Sequence, residues 1–332
     1  KNTFYDFISS IGNTPLIKLR GPSEKTGCSI YGKAEFLNPG GSVKDRAALA
    51  LIKDAEEKKL ISKGGTIVEG TAGNTGIGLT LIGNSLGYKS IIVMPETQTK
   101  EKKDMLKSIG ADLRLVPAKP YKDPNNYVKY SGRLADDLKK NNNMGVVWAN
   151  QFDNVANSKG HYESTGPEIW KQTEGKIDAF VCASGTGGTI FGVSKYLKEK
   201  NKNIRVVLSD PKGSSLYNYI KYGELKSEGN SITEGIGSSR VTKNFEQATI
   251  DDAYSINDHD ALNILFEMLE KEGLNLGTSS GINIMGAIKL ANEMGPNHTI
   301  ITILCDTADK YRSKLSNKKF LLEKGLPIPK WL

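Results

Sequence analysis

From Thr66 onward, short aliphatic and β-branched runs alternate with longer helical stretches, and no other feature of the chain constrains its fold as tightly. Thr66-Ile67-Val68-Glu69 reads as a strand, Thr75 to Leu86 as a helix, and Ser90-Ile91-Ile92-Val93-Met94 as a strand. Lys100 to Ile109 then reads as a helix and Asp112 to Val116 as a strand. A strand, a crossover helix and a second strand imply parallel pairing with helices covering the sheet. The helix after Asn74 carries Ile77, Leu79, Leu81, Ile82 and Leu86 on all sides, which predicts its burial. A polar, proline-bearing stretch from Pro117 to Asn126 breaks the alternation, which resumes near Ile177. There Ile177 to Cys182 and Ile204 to Leu208 read as strands around a helix from Thr189 to Lys200. Helices from Ala261 to Glu272 and Gly281 to Met294 and a strand from Thr299 to Leu304 complete the pattern. The expected class is α/β in two units, which suits 332 residues at about 150 per domain.

Several chemistries are excluded early. The net charge of +8 comes from 45 basic and 37 acidic residues that are interspersed, as in Lys100-Glu101-Lys102-Lys103-Asp104. The basic pairs Lys139-Lys140 and Lys318-Lys319 lack aromatic neighbours, so solvated helix faces are expected and not a nucleic-acid surface. No apolar run reaches the roughly 20 residues of a membrane span. Cys28, Cys182 and Cys305 form no CxxC and encode neither a disulfide framework nor a zinc site, which points to a reducing, cytoplasmic setting. His161, His259 and His298 show no HExxH spacing, and no metal is expected. The GxSxG elbow is absent as well.

What remains is a lysine and a set of glycine loops. In Asn38-Pro39-Gly40-Gly41-Ser42-Val43-Lys44-Asp45-Arg46, Ser42 and Asp45 have capping-box spacing, which predicts a helix starting at Val43 with Lys44 in its first turn. The positive end of a helix and partial burial both favour a neutral amine, the state in which lysine attacks carbonyls; an ordinary solvated lysine is the alternative. Glu69-Gly70-Thr71-Ala72-Gly73-Asn74-Thr75-Gly76 runs from a strand end into a helix, either as an anion site of N–H groups and hydroxyls or as a tight turn with a polar cap. Ser184-Gly185-Thr186-Gly187-Gly188-Thr189 resembles a phosphate cradle but not a dinucleotide fingerprint, because Ile190 stands where the third glycine belongs and no Walker lysine follows. Ser279 and Ser280 of Gly277-Thr278-Ser279-Ser280-Gly281 read locally as helix caps.

With Ile11-Gly12-Asn13-Thr14-Pro15-Leu16 and Asn150-Gln151-Phe152, these segments resemble, in order and over nearly the whole chain, the fold-type II pyridoxal phosphate enzymes of the cysteine synthase and cystathionine β-synthase branch. The resemblance implies a tryptophan synthase β-like fold of two open, twisted, mainly parallel α/β domains with the active site in the cleft between them. Residues 43–150 would form the smaller domain, carrying the substrate loop, and 1–42 with 151–332 the larger, carrying the phosphate loop. It implies Lys44 as the Schiff-base lysine and acid–base group, and Asn74 as a ligand of the cofactor's 3′ oxygen. Gly185, Thr186, Gly187, Gly188 and Thr189 would hold the phosphate of pyridoxal 5′-phosphate, with Ser279 at the pyridine nitrogen. Thr71, Gly73, Thr75 and Gln151 would hold the substrate carboxylate, and Gly235 belongs to the Glu234–Arg240 loop expected to close over it.

The implied reaction is β-replacement on an activated serine, with O-acetyl-L-serine and sulfide giving L-cysteine and acetate. Ala72 departs from the family's usual serine and keeps related activities open: cystathionine β-synthase, serine dehydratase, O-phosphoserine sulfhydrylase and diaminopropionate synthase. Arg240 is a candidate contact for a phosphorylated leaving group. A homodimer and the C-terminal tail of serine acetyltransferase are the implied partners, and a non-catalytic acetyltransferase-binding homologue is the rival of another class. A nicotinamide-dependent dehydrogenase is disfavoured by Ile190.

Overall fold

A computed structural model describes residues 3–332. The chain opens with β1 (Leu16–Lys18), α1 (Arg20–Thr26) and β2 (Ser29–Ala34), and α2 (Lys44–Glu57) leads into β3 (Thr66–Gly70). Next come α3 (Asn74–Leu86), β4 (Lys89–Pro95), α4 (Lys100–Ser108), β5 (Asp112–Val116), α5 (Tyr127–Lys139) and β6 (Val146–Trp148). After α6 (Ala156–Glu163) and α7 (Thr165–Gln172) the alternation resumes with β7 (Ala179–Cys182), α8 (Gly188–Lys200), β8 (Arg205–Pro211), α9 (Leu216–Tyr222), α10 (Lys243–Glu246) and β9 (Asp252–Ile256). The helices α11 (Asp258–Glu272) and α12 (Thr278–Met294) precede β10 (Thr299–Leu304).

The strands form two sheets. One has the order β1-β2-β10-β7-β8-β9 and the other β5-β4-β3-β6. Every pairing is parallel except that of β1 with β2. Parallel strands covered on both faces must be apolar on both, and the cores divide accordingly. Val181, Val207, Ile300 and Leu304 pack with α11 and α12 on one side of the larger sheet, and Phe180, Val206, Ile301 and Ile303 with α8 on the other. In the smaller sheet Ile67 packs toward α2 and α3, and Val68 toward α5. Among the described residues no helix is long and apolar enough to cross a membrane.

The alternating α/β elements appear where the sequence places them. Among those it does not announce, β1 and β6 span too few residues for any period to be read. α5 follows directly on the proline-bearing stretch, where Asn126 caps it by accepting from the Val128 N–H at 3.0 Å.

The two strand orders set the site. In the smaller sheet the chain runs from β3 outward through β4 to β5, while β6 lies on the other side of β3. In the larger it runs from β7 outward through β8 to β9, while β10 lies on the other side of β7. Each order has a switch point, and the crevice outside the carboxyl ends of the strands at such a point is where α/β sheets bind ligands.

Candidate active site

Four loops leave those carboxyl ends: Thr71–Gly73 after β3, Asn150–Phe152 after β6, Ala183–Gly187 after β7, and Cys305–Asp306 after β10. With the first turns of α2 and α12 and the Thr233–Gly237 segment they surround one cavity of ≈ 290 Å³. Of the residues singled out from the sequence, Lys44, Thr71, Asn74, Thr75, Gln151, Gly185, Thr186, Gly187, Thr189, Gly235 and Ser279 line it. Gly73 and Gly188 stand one layer behind. Gly73, at φ +137°, leaves room for the Lys102 side chain, whose Cδ would lie 2.5 Å from an added Cβ. At Gly188 an added Cβ would meet Asn157 Oδ1 at 2.1 Å.

Lys44 is the first residue of α2, one position later than the capping-box reading predicts. Ser42 Oγ accepts from the Lys44 N–H at 3.1 Å, but Asp45 turns away from Ser42 and accepts from the Gly40 N–H at 2.6 Å. Burial pushes the Asp45 carboxyl up to about 7. Among the described residues no protein group pairs with the Lys44 side-chain amine through a hydrogen bond or a salt bridge; the Ser42 bond is from its backbone N–H. Burial pushes the amine's pKa down, against the smaller raising effects of Cys305 and then Cys182, while Lys102 adds the least, in the same direction as burial.

Facing it is the turn between β7 and α8. Gly187 has φ +92°, a left-handed conformation that glycine adopts without strain. Thr186 Oγ1 accepts from the Gly188 N–H at 3.2 Å and from Asn157 Nδ2 at 2.9 Å. Gly185 packs on the Gly235 carbonyl, which an added Cβ would approach to 2.3 Å. His161 stands behind this turn, joined to Thr165 Oγ1 at 2.7 Å and Thr189 Oγ1 at 3.3 Å. Burial, with Arg46 and Lys44 nearby, pushes its pKa down to about 3, so it is neutral there. No sequence spacing announced that role.

At the other switch point, Thr71 Oγ1 accepts from the Gly73 N–H at 3.0 Å and closes the turn. Thr75 Oγ1 donates to Gln151 Oε1 at 2.6 Å, and Gln151 Nε2 donates to the Gly70 carbonyl at 3.2 Å, which couples the loops after β3 and β6. Glu69, wholly buried, accepts from the backbone N–H of Gly70 at 3.0 Å and of Gln151 at 2.8 Å. Ser279 and Ser280 are not the helix caps that local reading expects: α12 begins without a side-chain cap, Ser280 Oγ accepts from the Cys305 N–H at 3.0 Å, and Ser279 faces the cavity.

Sequence reasoning missed Gln98, Lys102 and Tyr127, which also line the cavity. Lys102 is 1% exposed, with Nζ 3.9 Å from Glu234 Oε1 and 4.7 Å from the Tyr311 ring centroid. With its amide turned so that the nitrogen faces them, Gln98 donates to Glu234 Oε1 at 2.6 Å and to the Ala72 carbonyl at 3.1 Å. Only tertiary structure brings these together. Arg240 is engaged elsewhere: its guanidinium grips Asp153 through two bonds of 3.0 and 3.1 Å and stacks 4.2 Å from the Tyr121 ring centroid, outside the cavity lining. Among the described residues no group of His, Cys, Asp or Glu side chains assembles as a metal-ligand set.

A lysine of lowered basicity opposite a glycine turn that opens a helix defines a class of enzyme that works through a phosphorylated carbonyl compound. The family described as "Pyridoxal-phosphate dependent enzyme" matches residues 8–306, and the chain belongs to it. Cysteine synthase 1 of Neurospora crassa is 49% identical over 96% of this chain and 84% of its own length. The cysteine synthase of Dictyostelium discoideum is 44% identical over 97% and 86%. An O-acetylserine dependent cystathionine beta-synthase from Helicobacter pylori, known by crystal structure, superposes with a TM-score of 0.83 at 31% identity, over 95% of this chain and 99% of that one.

The cavity suits the family's cofactor on its own evidence. Ser184 Oγ is buried at its wall without a protein partner, and among the described residues no protein group bonds the Lys44 amine at the same cavity.

Proposed function

We propose that this enzyme replaces the β-substituent of an activated serine, taking O-acetyl-L-serine and sulfide to L-cysteine and acetate. The observation that carries the reading is the placing of Lys44, half-buried and with an amine free of protein partners among the described residues, with the glycine turn before α8 in one cavity. The names of the relatives supply the substrate class.

Pyridoxal phosphate, when bound, supplies an electrophilic carbon for an amine and a conjugated ring that accepts the electrons of a breaking Cα–H bond. The N–H groups and hydroxyls of Gly185, Thr186, Gly187 and Thr189 would hold its phosphate, Asn74 its ring oxygen, and Ser279 its pyridine nitrogen; Gly188 stands behind them, its N–H donated to Thr186 Oγ1. A serine there does not keep the nitrogen protonated as a carboxylate would, which suits elimination at Cβ over deeper charge delocalisation. Thr71 and Thr75 would hold the substrate carboxylate together with Gln151, whose amide is oriented by its bond from Thr75, and Gly73 would shape the loop from behind by donating its N–H to Thr71 Oγ1. Lys44, whose basicity burial lowers, would supply the amine for the carbonyl carbon and would take the Cα proton as the acetoxy group departs with its bonding pair. Hydrosulfide adds at Cβ, and Lys44 Nζ returns the proton to Cα. The Gly235 segment excludes water from above.

The division into domains at 43–150 and at 1–42 with 151–332 belongs to the same proposal. It is supported by the sheets, each of which draws all its strands from one of these ranges. A cytoplasmic homodimer, and a cleft that accepts the C-terminal tail of a serine acetyltransferase, rest on the family resemblance; the unpaired Cys28, Cys182 and Cys305 suit a reducing compartment. Ala72 supports a second reading in which another thiol or no nucleophile is used. Incubating the holoenzyme with O-acetylserine, with and without sulfide, and identifying products separates them. Sulfide-dependent cysteine is expected, and pyruvate as the main product under both conditions overturns the synthase reading.

A further inference from the structure

The segment after β10 crosses from the larger sheet to the smaller one and ends on Asn74. Asp306, wholly buried, accepts through Oδ2 from Asn74 Nδ2 at 2.9 Å and from the Tyr311 hydroxyl at 2.6 Å. Lys310 Nζ donates to Asn74 Oδ1 at 2.9 Å. The Lys310 carbonyl in turn accepts from Thr99 Oγ1 at 2.9 Å, anchoring the segment just before α4. An ammonium only donates and a carboxylate only accepts, so these two contacts define the polarity of the amide. Its oxygen belongs to Lys310, its nitrogen to Asp306, and one N–H remains. Both bonds are charge-assisted and about twice as strong as neutral ones. Without them the terminal torsion of asparagine, which is broad and roughly two-fold, would let the amide turn over and present its carbonyl to the cavity.

We propose that Asp306 and Lys310 are positioning residues for Asn74, locking its amide so that an N–H, and not the carbonyl oxygen, meets the ring oxygen of pyridoxal phosphate. The proposal rests on the reading of Asn74 as a cofactor ligand. It explains why two charged side chains from beyond β10 converge on an uncharged residue at the start of α3, and it assigns a task to a segment no sequence motif marked. Neither residue touches the cofactor itself, so their effect passes through one amide.

The test compares holoenzymes of the wild type, Asn74→Ala, Asp306→Asn, Lys310→Met and Lys310→Arg. Two quantities are read, the position of the cofactor's visible absorption band and the rate at which the cofactor is lost on dilution. Lys310→Met and Asn74→Ala are expected to move the band in the same direction and to speed loss about tenfold, Asp306→Asn to do so by a smaller factor, and Lys310→Arg to restore the wild-type band. A merely structural role would speed loss without moving the band, and arginine would not restore it. If Asn74→Ala moves the band and Lys310→Met does not, the clamp is overturned while the role of Asn74 survives. If Asn74→Ala leaves the band in place, the role of Asn74 fails and the clamp with it. Should Lys310→Met not fold, Lys310→Gln, which is also neutral, carries the same comparison.

Discussion

Lys44, half-buried at the cavity, and Glu69, wholly buried, are two ionisable residues whose environments are read directly from their neighbours. Lys44→Ala should lower β-replacement by about 10²–10⁴-fold with the fold intact. Borohydride reduction followed by peptide mass analysis should find the cofactor on Lys44 of the wild type and nowhere on the variant. Burial pushes Glu69 from the ordinary glutamate value of 4.5 up to about 8, against the pull of the N–H groups of Gln151 and Gly70. Between those values the folded protein holds a proton that the unfolded chain releases, so stability falls as pH rises through that window. The melting temperature should decline from pH 5 to pH 8.5, and Glu69→Gln should flatten that slope; an unchanged slope would remove Glu69 as its source. Lys44 was legible in the sequence because its loop is local. Glu69 was legible only as the last polar residue of a strand, since the donors that hold it include one from beyond β6.

Helices pack here through glycines. Gly192 lies within α8 where α6 crosses it, and a Cβ there would sit 2.2 Å from the Ser158 carbonyl oxygen and 2.7 Å from His161 Cβ. On an exposed helix, glycine to alanine gains about 1 kcal/mol. Against backbone that cannot swing aside, Gly192→Ala should instead cost about 1–3 kcal/mol, read as a lower urea midpoint with unchanged slope. Most of the parallel strands and several of the long helices around them, though not β2 or α5, followed from hydrophobic period, because burial on both sheet faces leaves continuous apolar runs such as Ile91 to Met94. β6 and β9 did not, being short and only partly buried. Yet β6 delivers Gln151 to the site, so the least legible strand carries a functional loop.

A buried charge cluster ties distant parts of the molecule together. Arg46 of α2 pairs with Glu35 and, at 2.7 Å, with Glu168 of α7. Lys33 of β2 reaches Glu168 at 2.8 Å and the Thr14 carbonyl at 2.7 Å. Burial pushes the Glu168 carboxyl up, but Arg46 and Lys33 together overcome this and hold it at about 2, below the ordinary 4.5. Its contribution to stability is therefore full above about pH 4.5 and lost as pH falls toward 2. Glu168→Gln should unfold at lower denaturant at pH 7 and lose less on acidification over that window. Arg46→Met should cost about 3–5 kcal/mol, because Glu35, wholly buried, loses its partner.

The sequence by itself determined the α/β class, the family and the loops of the site, because these rest on local period and on contiguous motifs whose backbone geometry glycine, threonine and asparagine dictate nearby. Only the tertiary structure decided how those loops meet. Lys102, Asp306, Lys310 and the Arg240–Asp153 pair acquire their roles from residues far away in the chain, and neither hydrophobic period nor turn chemistry carries information across such separations. Strand order supplied part of it: with β6 beside β3 and β10 beside β7, each sheet gathers two of the four loops at its own switch point, and the packing of one sheet with its helices against the other brings them to one cavity.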